Sequence, residues 1–247
     1  MHTRERVPTL ASMKPIGRTA RRAIAWVAVS SASSGLLVAM VAAVPGAHAD
    51  TKPTSPVIKI NEEAAKAEIT TTAIRDNISV LMGSGGNIGV LTGRDGKFMV
   101  DGGITLSKAR LSAALSAIGD APLKYLVNTH YHWDHTDSNV WLHDAGATIV
   151  ATPNTVKHLT AAATRVEDWD YTFKPLPAGG VPTEIVTKSR TYHFDGQTVT
   201  VKAVAPAHTD GDLFVSFQPA NVLFAGDVFW NGVYPFIDNG QGGRSTG

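Results

Sequence analysis

The chain has 247 residues and a formal net charge of +1, with 43% of its residues hydrophobic and no cysteine. The near balance of 22 Lys and Arg against 21 Asp and Glu argues against a nucleic-acid or acidic-surface partner, and the apolar content is enough for one sizeable core. Without cysteine there is neither a disulfide nor a thiolate ligand, so stability comes from packing and from any metal held through nitrogen and oxygen.

The first elements read as an export leader. Arg4, Arg6, Lys14, Arg18, Arg21 and Arg22 precede an apolar stretch at 23–44, and no Asp or Glu occurs between Arg6 and Ala49. Ala47 and Ala49 in AHAD are the small residues of a signal-peptidase site, so residues 1–49 are expected to be a signal peptide and 50–247 the mature domain. The stretch is long enough to be a retained anchor instead. Its four serines and the Pro45-Gly46 break favour cleavage, giving an exported protein, periplasmic or secreted, with no stable membrane anchor. Arg21-Arg22 leaves a twin-arginine route open.

After a polar start, residues 78–82, 87–93 and 97–103 read as short strands, separated by Gly83-Ser84-Gly85-Gly86 and Arg94-Asp95-Gly96. Glycine and Asp-Gly supply the positive φ of tight hairpins. Leu111, Leu115 and Ile118 then fall at helical spacing, which predicts a helix over 106–118 with Thr105 as N-cap and Gly119 as its stop. A buried strand follows at 123–128. Beyond it come a helix near 138–144 ended by Gly146 and a strand at 147–152. Pro and Gly dominate 165–188, which suggests a crossing loop or cover between two halves. Strands resume at 191–194, 198–204, 212–218 and 221–227, so layered sheet with helices outside is expected.

Between the strand at 123–128 and the next helix lies THYHWDHTDSN, residues 129–139, which gathers three histidines and two aspartates. Imidazoles pack less well than Leu or Val and need hydrogen-bond partners when buried. A core gains nothing from crowding them. Alternate residues of an extended turn point the same way, so His130 and His132 can grip one ion while Asp134 and His135 grip another. His208, in PAHTDGD between two strands, and Asp227, at the end of NVLFAGD, are the best further ligands; His143, His158 and His193 read as structural. Imidazole and carboxylate without sulfur suit zinc first, with manganese and iron also open. Tyr131, Trp133 and Trp230 are candidates to line an apolar pocket.

H-x-H-x-D-H after a strand, a later A-H-T-x-G and then G-D after an apolar strand resemble the metallo-β-lactamase fold superfamily, the glyoxalase II-like branch more than the true β-lactamases. That resemblance implies an α/β fold, a four-layer αβ/βα sandwich with the metals at one edge between two sheets. It implies a first metal on His130, His132 and His208, a second on Asp134 and His135, and Asp227 bridging them. Asp101 in MVDGG resembles a family Asp that supports the ligands without binding metal. The activity implied is a dizinc hydrolase that attacks an ester, thioester, lactone or amide carbonyl of a small molecule with metal-bound hydroxide, Asp134 also serving as the catalytic acid.

No Lys or Arg follows soon after Asp227, which makes β-lactam hydrolysis the runner-up. A mononuclear iron thiol dioxygenase of the same fold is a further alternative. Family members also carry a later His in a Gly-His-Gly-like turn, whereas no histidine follows His208 here and the chain ends QGGRSTG. A shortened C-terminal half is therefore expected, with an inactive metal-binding fragment as its extreme form.

Overall fold

In the computed structural model, residues 54–244 are described. The expected leader and its cleavage site lie outside them. Helix α1 (Pro56–Ala64) opens on proline, whose missing N–H costs no helical bond in the first turn, and buries Val57 and Ala64. Strand β1 (Thr70–Arg75) pairs antiparallel with β2 (Ile78–Met82), and every one of its residues is exposed. Neither α1 nor β1 is among the sequence-based expectations. An edge strand with no buried face carries no alternation to read.

Strands β2, β3 (Ile88–Gly93) and β4 (Gly96–Val100) form the expected hairpins, with positive φ at Gly85 and Gly96. β4 is shorter than 97–103, because Asp101 takes φ 63° and turns the chain out of the sheet. Helix α2 (Lys108–Ala117) starts later than expected, behind a 3-10 turn at Thr105–Ser107. Thr105 therefore caps nothing. Ser107 holds the N-cap position without a side-chain capping bond, its hydroxyl donating instead to the Ile104 carbonyl at 2.7 Å.

β5 (Leu123–Val127) runs into the histidine cluster, followed by α3 (Trp133–Thr136), α4 (Asn139–Asp144), β6 (Thr148–Ala151) and α5 (Pro153–Thr160). The expected crossing loop contains a small hairpin, β7 (Thr164–Val166) with β8 (Tyr171–Phe173), and β9 (Glu184–Ile185), which lies parallel to β6. The remaining strands are β10 (Ser189–Phe194), β11 (Gln197–Ala203), β12 (Leu213–Gln218) and β13 (Val222–Phe224).

Two sheets carry the fold, one in the order β1-β2-β3-β4-β5-β6-β9 and one in the order β10-β11-β12-β13. The first is antiparallel up to β4 and parallel from β4 through β5 and β6 to β9. Both faces of its centre are buried, as parallel strands require. Phe98, Val127 and Val150 point to the second sheet and pack on Val199, Val201, Val215 and Phe217. Met99, Leu126 and Ile149, one residue out of phase, pack under Leu111 and Leu115 of α2 and Leu142 of α4. Truncating a wholly buried ring such as Phe98 to alanine costs about 3–5 kcal/mol.

The α/β class and the two facing sheets agree with expectation; among the described residues only 3-10 turns follow β13, so the second helical layer of the expected four-layer sandwich is not formed by them. The outward positions of β11 are Thr198, Thr200 and Lys202, a polar face, whereas β13 at the edge of the same sheet exposes Leu223. Exposed apolar residues gather from there onward, at 223–236: Leu223, Phe229, Val233, Tyr234 and Phe236. Among the described residues no helix is long and apolar enough to cross a membrane.

Candidate metal centre

The C-terminal end of β5 delivers the first ligands. His130 lies in a bend just past β5, Trp133–Thr136 is one turn of helix rather than a continued extended turn, and His132, at φ −58° and ψ 146°, is its N-cap residue. That turn separates Asp134 and His135 from the first pair. His208 arrives from the β11–β12 loop and Asp227 from the 3-10 turn after β13. All six sequence-expected ligands thus lie at one edge, where strands of both sheets end.

Two sets of ligand atoms each fall within 4.8 Å of one another: His130, His132 and His208, and His130, His135 and Asp227. Asp227 Oδ1 stands 3.2 Å from His135 Nε2, and its other oxygen 3.9 Å from His208 Nε2. One carboxylate therefore faces both sets. Asp134 stays at the margin, 3.7 Å from His135 Nε2, and belongs to neither three-residue set.

Each imidazole is held by its outer nitrogen. His208 Nδ1 donates to the Phe236 carbonyl at 2.6 Å, which leaves Nε2 as its acceptor. His135 Nδ1 donates to Asp101 Oδ2 at 2.9 Å. His130 Nδ1 lies 3.0 Å from Thr129 Oγ1, whose hydroxyl donates to Asp101 Oδ2 at 2.7 Å. Asp101, 2% exposed, also accepts the Thr129 backbone N–H at 2.7 Å. It thus supports two ligands from below without joining either set.

The inner nitrogens test the fit to a cation. His130 Nε2 and His135 Nε2 are buried without a hydrogen-bond partner; Asp227 is near enough to attract charge at His135 but lies outside hydrogen-bond alignment. A buried unpaired nitrogen costs about 1–3 kcal/mol. A divalent cation accepting these lone pairs removes that cost, and neutral nitrogen with carboxylate oxygen is the donor set that zinc takes.

The electrostatics point the same way. Burial, with repulsion from the neighbouring imidazoles, pushes the pKa of His130 well below its ordinary value, and the same two causes lower that of His208. Both are therefore held neutral, the form that binds metal. At His135 burial also opposes charge, but Asp101, Asp134 and Asp227 outweigh it and raise the pKa well above the ordinary value. Burial alone would raise Asp227, yet His135 and His208 bring it below the usual carboxylate range. Positive charge is favoured where a second cation would sit.

The model of the metallo-beta-lactamase superfamily matches residues 81–245. The chain belongs to that superfamily. No curated protein matches it. Among solved structures, the chain is similar to the subclass B3 metallo-beta-lactamase BJP-1 of Bradyrhizobium japonicum, at 20% identity and TM-score 0.55, covering 66% of this chain and 64% of that one. It is similar to a B3 metallo-beta-lactamase with an active-site glutamic acid, at 19% identity and TM-score 0.54, covering 66% and 62%. It is also similar to a Cronobacter sakazakii metallo-beta-lactamase with a HARLDQ motif, at 16% identity and TM-score 0.58, covering 71% and 66%. The chain thus spans about two thirds or less of the length of these structures. Likeness at such identities carries the superfamily fold and no substrate.

One residue beside the cluster escapes sequence reasoning. Asp238 Oδ2 lies 3.0 Å from His132 Nε2 and accepts the Tyr131 hydroxyl. A lone Asp in a Gly-rich segment reads as a turn residue, and its partners lie more than a hundred residues upstream. Two cavities flank the cluster. One, of about 1000 Å³, opens beside His132 between Tyr131, Trp133, Trp169, Phe173 and Phe236. The other, of about 1220 Å³, runs along Asp134, His135 and Asp227 to Phe229 and Trp230. Tyr131 and Trp133 thus line the first and Trp230 the second.

Proposed function

We propose that this chain is a metal-dependent hydrolase that opens an ester, thioester, lactone or amide bond of a small molecule, with zinc as its metal. The observation that carries this reading is the placement of Asp227, whose two oxygens face His135 and His208 and so serve both ligand sets. Bound zinc supplies a Lewis acid for the carbonyl oxygen and a coordinated water of lowered pKa. The chain does the rest. His130, His132 and His208 would hold one ion, while His135 and Asp134 with Asp227 would hold the other. Asp134, beside His135 and open to the second cavity, orients the water and passes a proton to the leaving group. The aromatic walls beside His132 hold the apolar part of the substrate and exclude water.

A β-lactam substrate is the second reading, favoured by a specific residue: Lys66 lines the cavity that holds Asp134, His135 and Asp227, where a substrate carboxylate needs a cation. The solved structures named above are β-lactamases. A panel of esters, thioesters, lactones and β-lactams separates the two readings. Metal analysis separates both from the iron alternative: about two zinc ions per chain supports the hydrolase, one iron the thiol dioxygenase, and none a metal-free fragment. His132→Ala is expected to lose both zinc and hydrolysis, while His143→Ala, whose exposed ring bonds the Ala147 carbonyl at 3.3 Å, keeps both. Wild type and His132→Ala turning over every substrate equally removes the hydrolase. We also infer export behind the 1–49 leader; protein recovered outside the cytoplasm should begin at Asp50, and a chain still starting at Met1 ends that inference.

A further inference from the structure

Two of the three nitrogens that orient the three-histidine set are held by one irregular segment, residues 236–244. The Phe236 carbonyl takes the His208 Nδ1 proton at 2.6 Å, and the Asp238 carboxylate faces His132 Nε2 at 3.0 Å. The segment is locked in place by its backbone. Asp238 N–H donates to the His208 carbonyl at 2.9 Å, Gly243 N–H to the Asp238 carbonyl at 2.9 Å, and Arg244 N–H to the Ala207 carbonyl at 2.8 Å. Approach this close excludes side chains: a Cβ on Gly243 would stand 2.3 Å from the His208 carbonyl oxygen, and Gly242, at φ +86°, is already against Asp210.

The carboxylate on His132 has a chemical consequence. A carboxylate only accepts, so Asp238 places the His132 proton on Nε2 and leaves the Nδ1 lone pair facing inward, 2.9 Å from His208 Nε2. With the proton on the other nitrogen, His132 would present an N–H to the cation. The Tyr131 hydroxyl, bound to the same Asp238 oxygen, pins the carboxylate from the cavity side.

We propose that residues 236–244 form a strap that presets the three-histidine set for metal, with Asp238 as the positioning residue that fixes the tautomer of His132. The proposal rests on the metal reading above and adds to it a role for a segment that holds no ligand. Outer partners of this kind change metal affinity by about 10–100-fold when removed.

The test uses the full chain, stripped of metal and titrated with zinc against a chromophoric chelator, with the His132 tautomer read by two-bond 1H–15N correlation spectra of histidine-labelled protein. Asp238→Ala is expected to weaken the first zinc by about 10–100-fold and to mix the His132 tautomers. Asp238→Asn, whose amide oxygen still accepts from Nε2, should restore the tautomer and most of the affinity. Lys97→Met, which lowers stability far from the site, is the control for a merely structural loss and should leave zinc affinity within about twofold of wild type. Equal zinc affinity in Asp238→Ala and wild type overturns the proposal, and so does an equal loss in Lys97→Met. A wild-type His132 carrying its proton on Nδ1 overturns it with no variant at all. A wild type that binds no zinc removes the metal reading itself, whereas tight wild-type binding unaltered by Asp238→Ala removes only the strap.

Discussion

The two candidate ligand sets share His130, but the histidines around it are supported from opposite kinds of structure. His130 and His135 rest on Asp101, a carboxylate sealed between β4 and β5 and joined to the sheet through its own N–H on the Val127 carbonyl at 2.8 Å. His132 and His208 rest on the 236–244 segment, which has a single 3-10 turn and borders a large cavity. One support belongs to the core and the other to a loop. Local opening follows buried contacts, so the support of His130 and His135 is as durable as the fold, while that of His132 and His208 is held by a few backbone hydrogen bonds of a surface loop.

Asp101→Ala attacks the durable side and has the largest expected effect. It leaves the Thr129 N–H, the Thr129 hydroxyl and His135 Nδ1 without their acceptor in a buried place. Removing one member of such a buried charged network costs about 3–5 kcal/mol. Urea unfolding should show that loss, and the variant should bind less than one zinc per chain. A change below about 1 kcal/mol would mean that Asp101 is solvated or replaceable, and the contrast between the two supports would collapse.

The supports also differ in how readable they are. H-x-H-x-D-H is legible because imidazoles crowd where a core gains nothing from them, and His208, Asp227 and Asp101 are legible only in combination with it, through the family resemblance; the turn that Asp101 makes out of the sheet is not, since 97–103 reads as one strand. The hairpins at Gly85 and Gly96 are legible through their φ values. Asp238 is not, since nothing local distinguishes a carboxylate that caps a distant imidazole from one that ends a turn. Helix α5 is missed as well: its eight residues bury only Thr155 and Leu159, too few positions to establish a period. The one-turn helix at Trp133–Thr136 is shorter than any periodicity can register.

The next prediction in size concerns motion. In zinc-stripped protein the amides of Asp238, Gly243 and Arg244 should exchange on the order of 100-fold faster than those of Asp101 and Thr129, because the first group opens with the strap and the second only with the sheet. Adding zinc should slow the strap amides selectively, since a filled three-histidine set holds the segment through His132 and His208. Hydrogen exchange read by mass spectrometry on overlapping peptides gives both values. Equal protection of the two groups before zinc is added would place strap and sheet in one cooperative unit.

The smallest expected effect isolates the fold from the site. Lys97 is buried in β4, and its ammonium donates to the Gly119 and Ala121 carbonyls, both at 2.5 Å, closing the turn that follows α2. Lys97→Met keeps the stem and strands both carbonyls, at about 1–3 kcal/mol, with no contact to any ligand. Burial lowers the pKa of Lys97 from its ordinary 10.5, with Asp120 opposing. In the window just below that value the folded protein binds fewer protons than the unfolded chain, so the wild-type stability contribution of Lys97 grows as pH rises. The gap between wild type and Lys97→Met in urea should therefore widen toward pH 10.5. A gap that narrows over that window would mean that the ammonium is stabilised by its two carbonyls more than burial penalises it, and would make β4 as much an electrostatic anchor as an apolar one.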